Sequence, residues 1–151
     1  QSTFYDSAPV THIDVTQIYC PETRLVLIEA MKKYEREHSH DCAVLVCTEG
    51  PRLETPAEIE MFRRLGCDIV GMTGAPEAAL ARELEMCYAT ICLVTNMAAG
   101  LQKRLTTCEL VEMAEKRFPI IEQVLRDTVK NLPKERRCLC ASALKNARLR
   151  G

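Results

Sequence analysis

The sequence has no tryptophan, and aromatic residues of all kinds make up only 5% of it. No apolar run approaches the ~20 residues that a helix needs to cross a bilayer. The net charge is -1, so electrostatics give no reason to expect binding to nucleic acid or to a membrane surface. These features argue against a membrane-spanning or nucleic-acid-binding protein and favour a cytoplasmic one.

The beginning of the chain lacks two further features. Residues 1–5 contain no basic region followed by an apolar stretch, so the sequence predicts no secretory signal peptide. The first residue is Gln1 rather than methionine, and we expect the chain to begin inside a longer translation product. With 151 residues, 47% of them apolar, and no internal repeat or linker, the chain is expected to form one domain or part of one.

Cysteine, by contrast, is abundant, with nine residues. Five of them lie in or beside apolar stretches, where cysteine acts as a small hydrophobic residue: Cys42, Cys47, Cys67, Cys87 and Cys92. Cys138 and Cys140 form a CxC motif, but no second cysteine pair lies nearby in the sequence to complete a zinc site, so we predict no metal. A redox or metal protein built on the cysteines stays an alternative.

Strands and helices alternate along the chain. Alternating or continuous apolar residues predict four strands, at 10–16, 43–47, 68–72 and 88–94. Helical spacing predicts five helices, at about 22–36, 55–65, 76–85, 107–131 and 141–150. This order predicts an α/β fold in which helices flank a mixed, mostly parallel sheet.

Two of these helices carry distinct local signals. Thr55, Pro56 and Glu58 have the spacing of a capping box with proline in the first turn, which predicts the start of the second helix. Gly66 suits the end of that helix. Pro119 lies inside the fourth helix, so we expect a break or a kink there.

Polar segments follow three of the predicted strands, at 48–55, 71–77 and 95–100. In open α/β sheets, ligands bind at the carboxyl ends of the strands. We therefore expect these three segments to wall one pocket, although the fold alone does not define its function.

The same segments carry a longer motif. It reads Glu49-Gly50-Pro51-Arg52, Glu54-Thr55-x-Ala57-Glu58, Gly66-x-Asp68-x-Val70-Gly71-Met72-Thr73, Pro76-Glu77, Cys87-Tyr88-Ala89-x-Ile91 and Thr95-Asn96. In order and spacing it resembles the signature of trimeric purine nucleoside phosphorylases and methylthioadenosine phosphorylases. Members of that family are nearly twice as long. The resemblance therefore implies that residues 1–151 are a single partial domain, the C-terminal half of the nucleoside phosphorylase fold.

The resemblance implies phosphorolysis of a purine nucleoside to the free base and a ribose-1-phosphate derivative. Inorganic phosphate is then the co-substrate, no cofactor is expected, and the assembly is a homotrimer or hexamer. Phosphate attacks the anomeric carbon, so the enzyme has to stabilise negative charge on the departing purine and on the phosphate. No covalent nucleophile is needed for this reaction.

Two residues align with the family's base-contacting positions, and we assign them catalytic roles. Asn96 aligns with the residue that contacts N7 and the 6-substituent, and its amide can donate to N7 and O6 of hypoxanthine or guanine. Glu54 aligns with the glutamate of 6-oxopurine enzymes, where it accepts the N1–H. Adenine-directed members carry aspartate at the position of Asn96. The resemblance implies a 6-oxopurine nucleoside, with a 5'-methylthioadenosine phosphorylase as the alternative.

The other predicted substrate-binding residues lie on the sugar and phosphate side. Met72 matches the methionine under the ribose, Leu53 belongs to the same set, and Thr73 matches the hydroxyl residue that helps to hold phosphate. Cys108 aligns where enzymes for inosine place a histidine near the 5'-hydroxyl, and it suits an apolar 5'-methylthio group better. His12 falls where methylthioadenosine phosphorylases send a histidine into the neighbouring subunit. The mixture resembles a 5'-methylthioinosine phosphorylase, with inosine or guanosine as further candidate substrates.

Each of these residues also has an ordinary structural interpretation. Met72 could belong to the core, Thr73 could cap a helix, and Glu54 could be a solvated loop charge. Arg52 could bind an anion or form an ion pair with a helix carboxylate, and the sequence leaves both open. What favours function is that the residues occur together in the family's order and spacing.

The resemblance bears on the cysteines as well. Cys20 and Cys87 fall at positions that resemble a disulfide pair of hyperthermophilic archaeal relatives, whose C-terminal CxC is also similar to Cys138 and Cys140. Such proteins are an exception to the rule that intracellular thiols stay reduced. The resemblance therefore makes Cys20–Cys87 a disulfide candidate.

The family's main phosphate-binding elements, a Gly-rich loop with a hydroxyl residue and an Arg-x-His segment, do not occur in this sequence. We therefore expect the N-terminal half of the enzyme, as a separate chain, to complete the site. The alternative is an inactive fragment that serves only binding or assembly.

Overall fold

The computed structural model describes residues 3–7, 9–104 and 106–149. Within these ranges the helices are α1 (Pro21–Tyr34), α2 (Pro56–Arg64), α3 (Gly74–Glu83) and α4 (Thr107–Asn131), and a 3-10 turn spans Leu139–Ser142. Two strands, β1 (Leu45–Cys47) and β2 (Ile69–Gly71), alternate with them. The fold is α/β, as predicted, with a small open parallel sheet. No helix in these ranges is long and apolar enough to cross a membrane.

The two strands bring their carboxyl ends to the same edge of the sheet. Leu45 pairs with Ile69 and Cys47 pairs with Gly71, in parallel register. Because the strands run in the same direction, α2 has to cross over between them. Beyond β1, the Thr48 amide still donates to the Gly71 carbonyl over 2.9 Å. The polar segments that follow β1 and β2 therefore leave the sheet side by side.

The capping box predicted for α2 is confirmed. Thr55 Oγ1 accepts from the Glu58 amide at 3.3 Å, and Glu58 Oε2 accepts from the Thr55 amide at 2.7 Å. Pro56 fills the first helical position, where its missing N–H is not needed. The chain then turns away at Gly66, whose φ of +80° is a conformation that glycine adopts without strain.

The main core lies between α1 and α4. Leu27 and Ala30 pack with Val124, whose side chain is 0% exposed. Partly buried residues surround this cluster: Met31, Tyr34, Ala89, Ile91 and Ile120. Burial of one aliphatic side chain contributes about 1.5–3 kcal/mol, so this cluster holds the two longest helices together.

Two predicted strands, 10–16 and 88–94, are not formed in the described part of the chain. Thr11 makes only an isolated antiparallel bridge with Arg148. A strand forms only where a neighbouring strand pairs with its backbone N–H and C=O groups. A pattern of apolar residues indicates only that the side chains are buried. Ala89 and Ile91 pack on the α1–α4 core, which accounts for the pattern at 88–94.

The long helix α4 has the predicted bounds, and it continues through Pro119 without the break that the sequence suggested. Ile120, directly after the proline, packs on the core with Val124, which anchors the following turns. The predicted helix at 141–150 is wrong over its described residues. There the local bonds form turns, such as Ala147 N to the Leu144 carbonyl over 3.1 Å. Other amides bond to distant segments: Leu144 N donates to Glu85 Oε1 over 3.1 Å, and Leu149 N donates to the Val10 carbonyl over 3.1 Å. Arg150 lies outside the described residues.

Candidate active site

Thr48 fixes the position of the Glu54 carboxylate at the end of β1. Its hydroxyl donates to Glu54 Oε1 over 2.5 Å, and its amide is bound to the Gly71 carbonyl of β2. Glu54 is only partly exposed, so it is not the fully solvated loop charge of the ordinary interpretation. A carboxylate has about four acceptor sites, and this arrangement leaves capacity to accept from a ligand N–H.

Met72 reaches from the end of β2 to the loop after β1. A Cβ atom added to Gly50 would lie 2.5 Å from Met72 Sδ, so the thioether occupies the space above this glycine. The Gly50–Pro51 peptide bond is cis. Met72 is partly buried. The methionine predicted to lie under the ribose thus sits between the first two polar segments.

Arg52 has a structural partner, which settles the choice that the sequence left open. Its guanidinium donates to both carboxylate oxygens of Glu58, over 2.9 and 2.6 Å. The hydrogen bonds from Arg52 and then those from Thr55 lower the pKa of Glu58 from 4.5 to about 2. The pair braces the loop that carries Glu54 against the start of α2.

Thr73 lies at the cap position of α3, where its carbonyl accepts from the Glu77 amide over 3.1 Å. Its side chain is exposed and does not cap the helix, contrary to the ordinary interpretation of this residue. The start of α3 packs closely on β1, because a Cβ atom at Gly74 would meet Leu45 Cδ2 at 2.8 Å. The partial positive charge of a helix N-terminus favours an anion beside Thr73.

The Glu77 carboxylate lies beside Thr73 and is also bound by Tyr88. The Tyr88 hydroxyl donates to Glu77 Oε2 over 2.7 Å. This hydrogen bond, followed by one from the Thr73 hydroxyl, lowers the pKa of Glu77. The carboxylate therefore stays ionised near neutral pH, and any phosphate at Thr73 has a negative charge close by that other groups must offset.

Asn96 lies in the third polar segment and is partly buried. Its Nδ2 donates to Thr95 Oγ1 over 3.1 Å. The loop after it folds against α2, because Gly100, with φ of +84°, approaches Pro56 so closely that a Cβ atom would lie 2.9 Å from the proline ring. The third segment is thereby brought beside the loop that carries Glu54.

Gln102 ties this loop to the start of α4. Its side-chain oxygen accepts from the Met97 amide over 2.8 Å, and its Nε2 donates to Glu109 Oε2 over 3.1 Å. Sequence reasoning did not single out Gln102, because a lone glutamine in a polar loop carries no chemical signal. Its role shows only in the folded loop.

Three predicted residues are exposed at the margins of this arrangement. Leu53 precedes Glu54 and is 46% exposed, and Cys108 is exposed on the first turn of α4. His12 lies in the N-terminal segment, where its amide donates to the Ala147 carbonyl over 2.8 Å and its side chain is exposed. The contacts of His12 thus join it to the C-terminal segment and not to the three polar loops.

Cys20 and Cys87 lie close together but are free thiols in the structure, so the predicted disulfide is not formed in it. Cys138 and Cys140 join them, and all four Sγ atoms lie within 4.8 Å of one another. The fold thus places beside the CxC motif a cysteine pair that lies far from it in the sequence. The sequence separation of 51 residues between Cys87 and Cys138 hid this grouping.

The four thiols perturb one another. Burial is the main cause that raises the pKa of Cys87 to about 11 and of Cys140 to about 12, and the neighbouring thiols add to it. Burial also opposes ionisation of Cys20. There, hydrogen bonds from Thr23 and from the Cys138 and Cys87 thiols outweigh burial and lower the pKa to about 7.

The fold has counterparts among solved structures. A methylthioadenosine phosphorylase from an antarctic soil metagenomic library matches with a TM-score of 0.83 at 31% identity, covering 99% of this chain and 54% of that one. A double mutant of the adenosine/methylthioadenosine phosphorylase from Schistosoma mansoni, in complex with adenine, matches with a TM-score of 0.87 at 25% identity, covering 99% and 62%. The fold is that of the nucleoside phosphorylases.

Residues 1–130 match the family model of the Phosphorylase superfamily, and the chain belongs to that superfamily. Its curated relatives include the 6-oxopurine nucleoside phosphorylase of Pyrococcus furiosus, 50% identical over 96% of this chain and 57% of the relative. They also include a probable S-methyl-5'-thioinosine phosphorylase of Thermodesulfovibrio yellowstonii, 47% identical over 97% of this chain and 55% of the relative. The chain spans about half the length of the curated relatives it matches.

Proposed function

We propose that this chain is the C-terminal portion, a single partial domain, of a purine nucleoside phosphorylase that acts on 6-oxopurine nucleosides. The substrates are of the 5'-methylthioinosine, inosine or guanosine type, and the products are the free base and a ribose-1-phosphate derivative. The observation that carries the proposal is the Glu54 carboxylate held by Thr48 at the end of β1, beside Met72 of the next strand. The names of the curated relatives in Pyrococcus furiosus and Thermodesulfovibrio yellowstonii support it.

In this proposal, Glu54 and Asn96 recognise the purine base by hydrogen bonds. The Glu54 carboxylate accepts the N1–H of a 6-oxopurine, while the Asn96 amide donates to N7 and O6. As the glycosidic bond breaks, negative charge develops on the purine and strengthens the hydrogen bond from Asn96 at N7. Adenine presents an acceptor at N1, and a mismatched buried polar pair costs about 1–3 kcal/mol.

Thr73 contributes to the phosphate site, together with the N-terminus of α3. A single hydroxyl does not neutralise a phosphate next to an ionised Glu77, so further donors have to come from outside this chain. The proposed source is the N-terminal half of the same enzyme, present as a separate chain. Inorganic phosphate is the co-substrate, and no cofactor is required.

A large cavity supports this division into two halves. It measures about 640 Å³ and lies between α1, β1, residues 90–94 and α4. Apolar side chains dominate its walls, among them Leu27, Met31, Leu45, Ile91 and Ile121. Residues 88–94 have a strand-like sequence but no ladder within the described chain. We propose that the N-terminal half fills the cavity and pairs with this segment, which then becomes the predicted strand.

The assembly proposed for the complete enzyme is a homotrimer or hexamer in the cytoplasm. His12 is exposed and available to reach a neighbouring subunit's sugar pocket, and Cys108 is exposed at the start of α4. Cys108 and Leu53 are proposed to contact the 5'-substituent and the nucleoside of their own subunit. An apolar thiol at that position favours a methylthio group over a hydroxyl.

Two alternatives have specific support. The solved neighbours are methylthioadenosine phosphorylases, which favours an adenine-directed enzyme, but the chemistry of Glu54 and Asn96 argues against adenine. The second alternative is an inactive fragment that serves only binding or assembly, since the chain spans about half of each relative's length.

The deciding experiment combines composition and turnover. Intact mass of the native and denatured protein shows whether a second chain accompanies this one. Phosphate-dependent cleavage of methylthioinosine, methylthioadenosine and inosine is then measured on the same preparation. Cleavage of the oxopurine substrates by a two-chain assembly is the expected result. Preferred cleavage of methylthioadenosine supports the first alternative. A lone chain that cleaves none of the three nucleosides supports the second.

A further inference from the structure

The four-cysteine cluster consists of Cys20, Cys87, Cys138 and Cys140. Cys20 directly precedes α1, Cys87 follows α3, and the CxC pair lies at the 3-10 turn near the end of the chain. Cys20 is 0% exposed, Cys140 is 3% exposed, and the other two are partly buried. Three separate parts of the chain therefore contribute thiols to one cluster in the interior.

The spacing of the sulfurs fits a tetrahedral metal ion better than two disulfides. All four Sγ atoms lie within 4.8 Å of one another, and Cys87 Sγ lies 3.5 Å from Cys138 Sγ. In a tetrahedral zinc site with Zn–S bonds of about 2.3 Å, neighbouring sulfurs lie about 3.8 Å apart. A disulfide needs two sulfurs about 2.0 Å apart. Two separate disulfides would not require the sulfurs of one pair to lie near those of the other pair. Here every sulfur is near every other one.

The surroundings offer a charge to balance such a site. Four thiolates around a divalent ion carry a net charge of about -2, which a buried site has to offset. Arg82 Nη1 lies 3.8 Å from Cys140 Sγ. The guanidinium is held there by the carbonyls of Asp14 and Gln17, over 3.1 and 2.7 Å.

The backbone around the cluster is also fixed by hydrogen bonds. The Cys20 amide donates to the Tyr88 carbonyl over 2.7 Å, which ties the residues beside two of the cysteines together. Arg136 Nη1 donates to the Glu85 carbonyl over 2.9 Å. This hydrogen bond holds the segment before the CxC motif against the end of α3. Ligands placed on such a braced backbone are close to a binding geometry before a metal arrives.

We propose that Cys20, Cys87, Cys138 and Cys140 bind one structural zinc ion in a closed tetrahedral site. Binding displaces the four thiol protons to solvent and forms four Zn–S bonds, with no change of oxidation state. With all four positions taken by protein, the ion has no open site for substrate, so its role is to join α1, the residues after α3 and the C-terminal turn. The zinc site stands independently of the proposed phosphorylase activity.

The test is the metal content of the protein expressed with zinc in the medium and purified without oxygen, with a phosphine reductant. We expect one zinc per chain by elemental analysis. Cys87→Ser and Cys138→Ser should lower zinc to less than a tenth of that amount. Cys67→Ser is the matched control, because Cys67 is also partly buried but lies outside the cluster, and it should keep the full amount.

A second measurement on the unaltered protein guards against variants that fail to fold. Cobalt(II) exchanged for zinc should give the intense sulfur-to-cobalt charge-transfer bands and visible bands of a tetrahedral thiolate site. Metal-free protein with four titratable cluster thiols, or a mass of protein prepared without reductant that shows two disulfides, overturns the proposal. Equal zinc in the Cys67 and Cys87 variants does the same. None of these readouts involves a nucleoside, so failure of the zinc site and failure of the phosphorylase proposal are separable.

Discussion

The sulfur of Met72 occupies the space directly above Gly50, where an added methyl group would lie 2.5 Å from it. That contact joins the loop after β1 to the end of β2 and positions the methionine that we propose to lie under the ribose. The closeness of the Met72 thioether, and not the backbone conformation, favours glycine at this position.

Gly50→Ala tests this relationship. We expect the flexible thioether to move aside, so the free energy of unfolding should fall by less than about 1.5 kcal/mol. The KM for methylthioinosine in the active assembly should rise about tenfold or more, which corresponds to about 1.4 kcal/mol of lost binding. Met72→Leu, which conserves volume and keeps Gly50, is the control with a smaller expected change. An unchanged KM in Gly50→Ala would show that the position of Met72 does not affect binding of the sugar.

Glu54→Gln tests recognition of the base. The amide loses the charged acceptor for the N1–H, so kcat/KM for inosine should fall about 5- to 150-fold, as expected for a loss of about 1–3 kcal/mol. Cleavage of methylthioadenosine should fall less, because adenine has no N1–H to lose. The neighbouring exposed Glu49→Gln serves as the control for a change of charge alone. Equal losses of kcat/KM for inosine and methylthioadenosine would show that Glu54 does not recognise the N1–H of the base.

The Arg52–Glu58 pair predicts a stability that depends on pH. The pKa of Glu58 is lowered from 4.5 to about 2, chiefly by Arg52. A carboxyl with a lowered folded-state pKa stabilises the fold above its unfolded pKa, and this contribution is lost as the pH falls toward the folded value. The difference in Tm between the unaltered chain and Glu58→Gln should therefore be constant above about pH 5 and vanish near pH 2. Glu115→Gln, which removes an exposed carboxylate on α4, is the control for loss of one surface charge.

Val124→Ala tests the α1–α4 core. The side chain is fully buried, and its removal leaves a cavity against Leu27 and Ala30. We expect the free energy of unfolding, measured with urea, to fall by about 2–3 kcal/mol. Val129→Ala is the matched control on the same helix, because Val129 is 69% exposed. Similar losses for both variants would contradict the assignment of the core.

Hydrogen exchange tests the role of the cavity. The amides of residues 88–94 have no strand partner in the described chain, so they should exchange rapidly when the chain is alone. Binding of the N-terminal half should slow their exchange at least tenfold while the surface of α2 stays unchanged. Slow exchange in the isolated chain, or no protection on assembly, would argue against a strand formed by this segment.

Local signals in the sequence were sufficient for several features. The capping box at Thr55 and Glu58 involves only residues three positions apart, so its chemistry marks the start of α2 whatever surrounds it. The short apolar runs around β1 and β2 and the bounds of α4 are local in the same sense. The order and spacing of the motif from Glu49 to Asn96 likewise indicated the family before any contact was known.

Other features depended on residues far apart in the chain. Whether 88–94 forms a strand depends on a neighbour that its own pattern does not describe. Cys87 is interpreted from the sequence as a small core residue, and only the fold places Cys20, Cys138 and Cys140 around it. Even Arg52 and Glu58, only six residues apart, left anion binding open until the structure showed their ion pair. The sequence by itself determined the local helix and strand signals and the family. Only the tertiary structure decided which side chains meet, because hydrogen bonds, ion pairs and metal ligation act over a few ångströms of space and not along the chain.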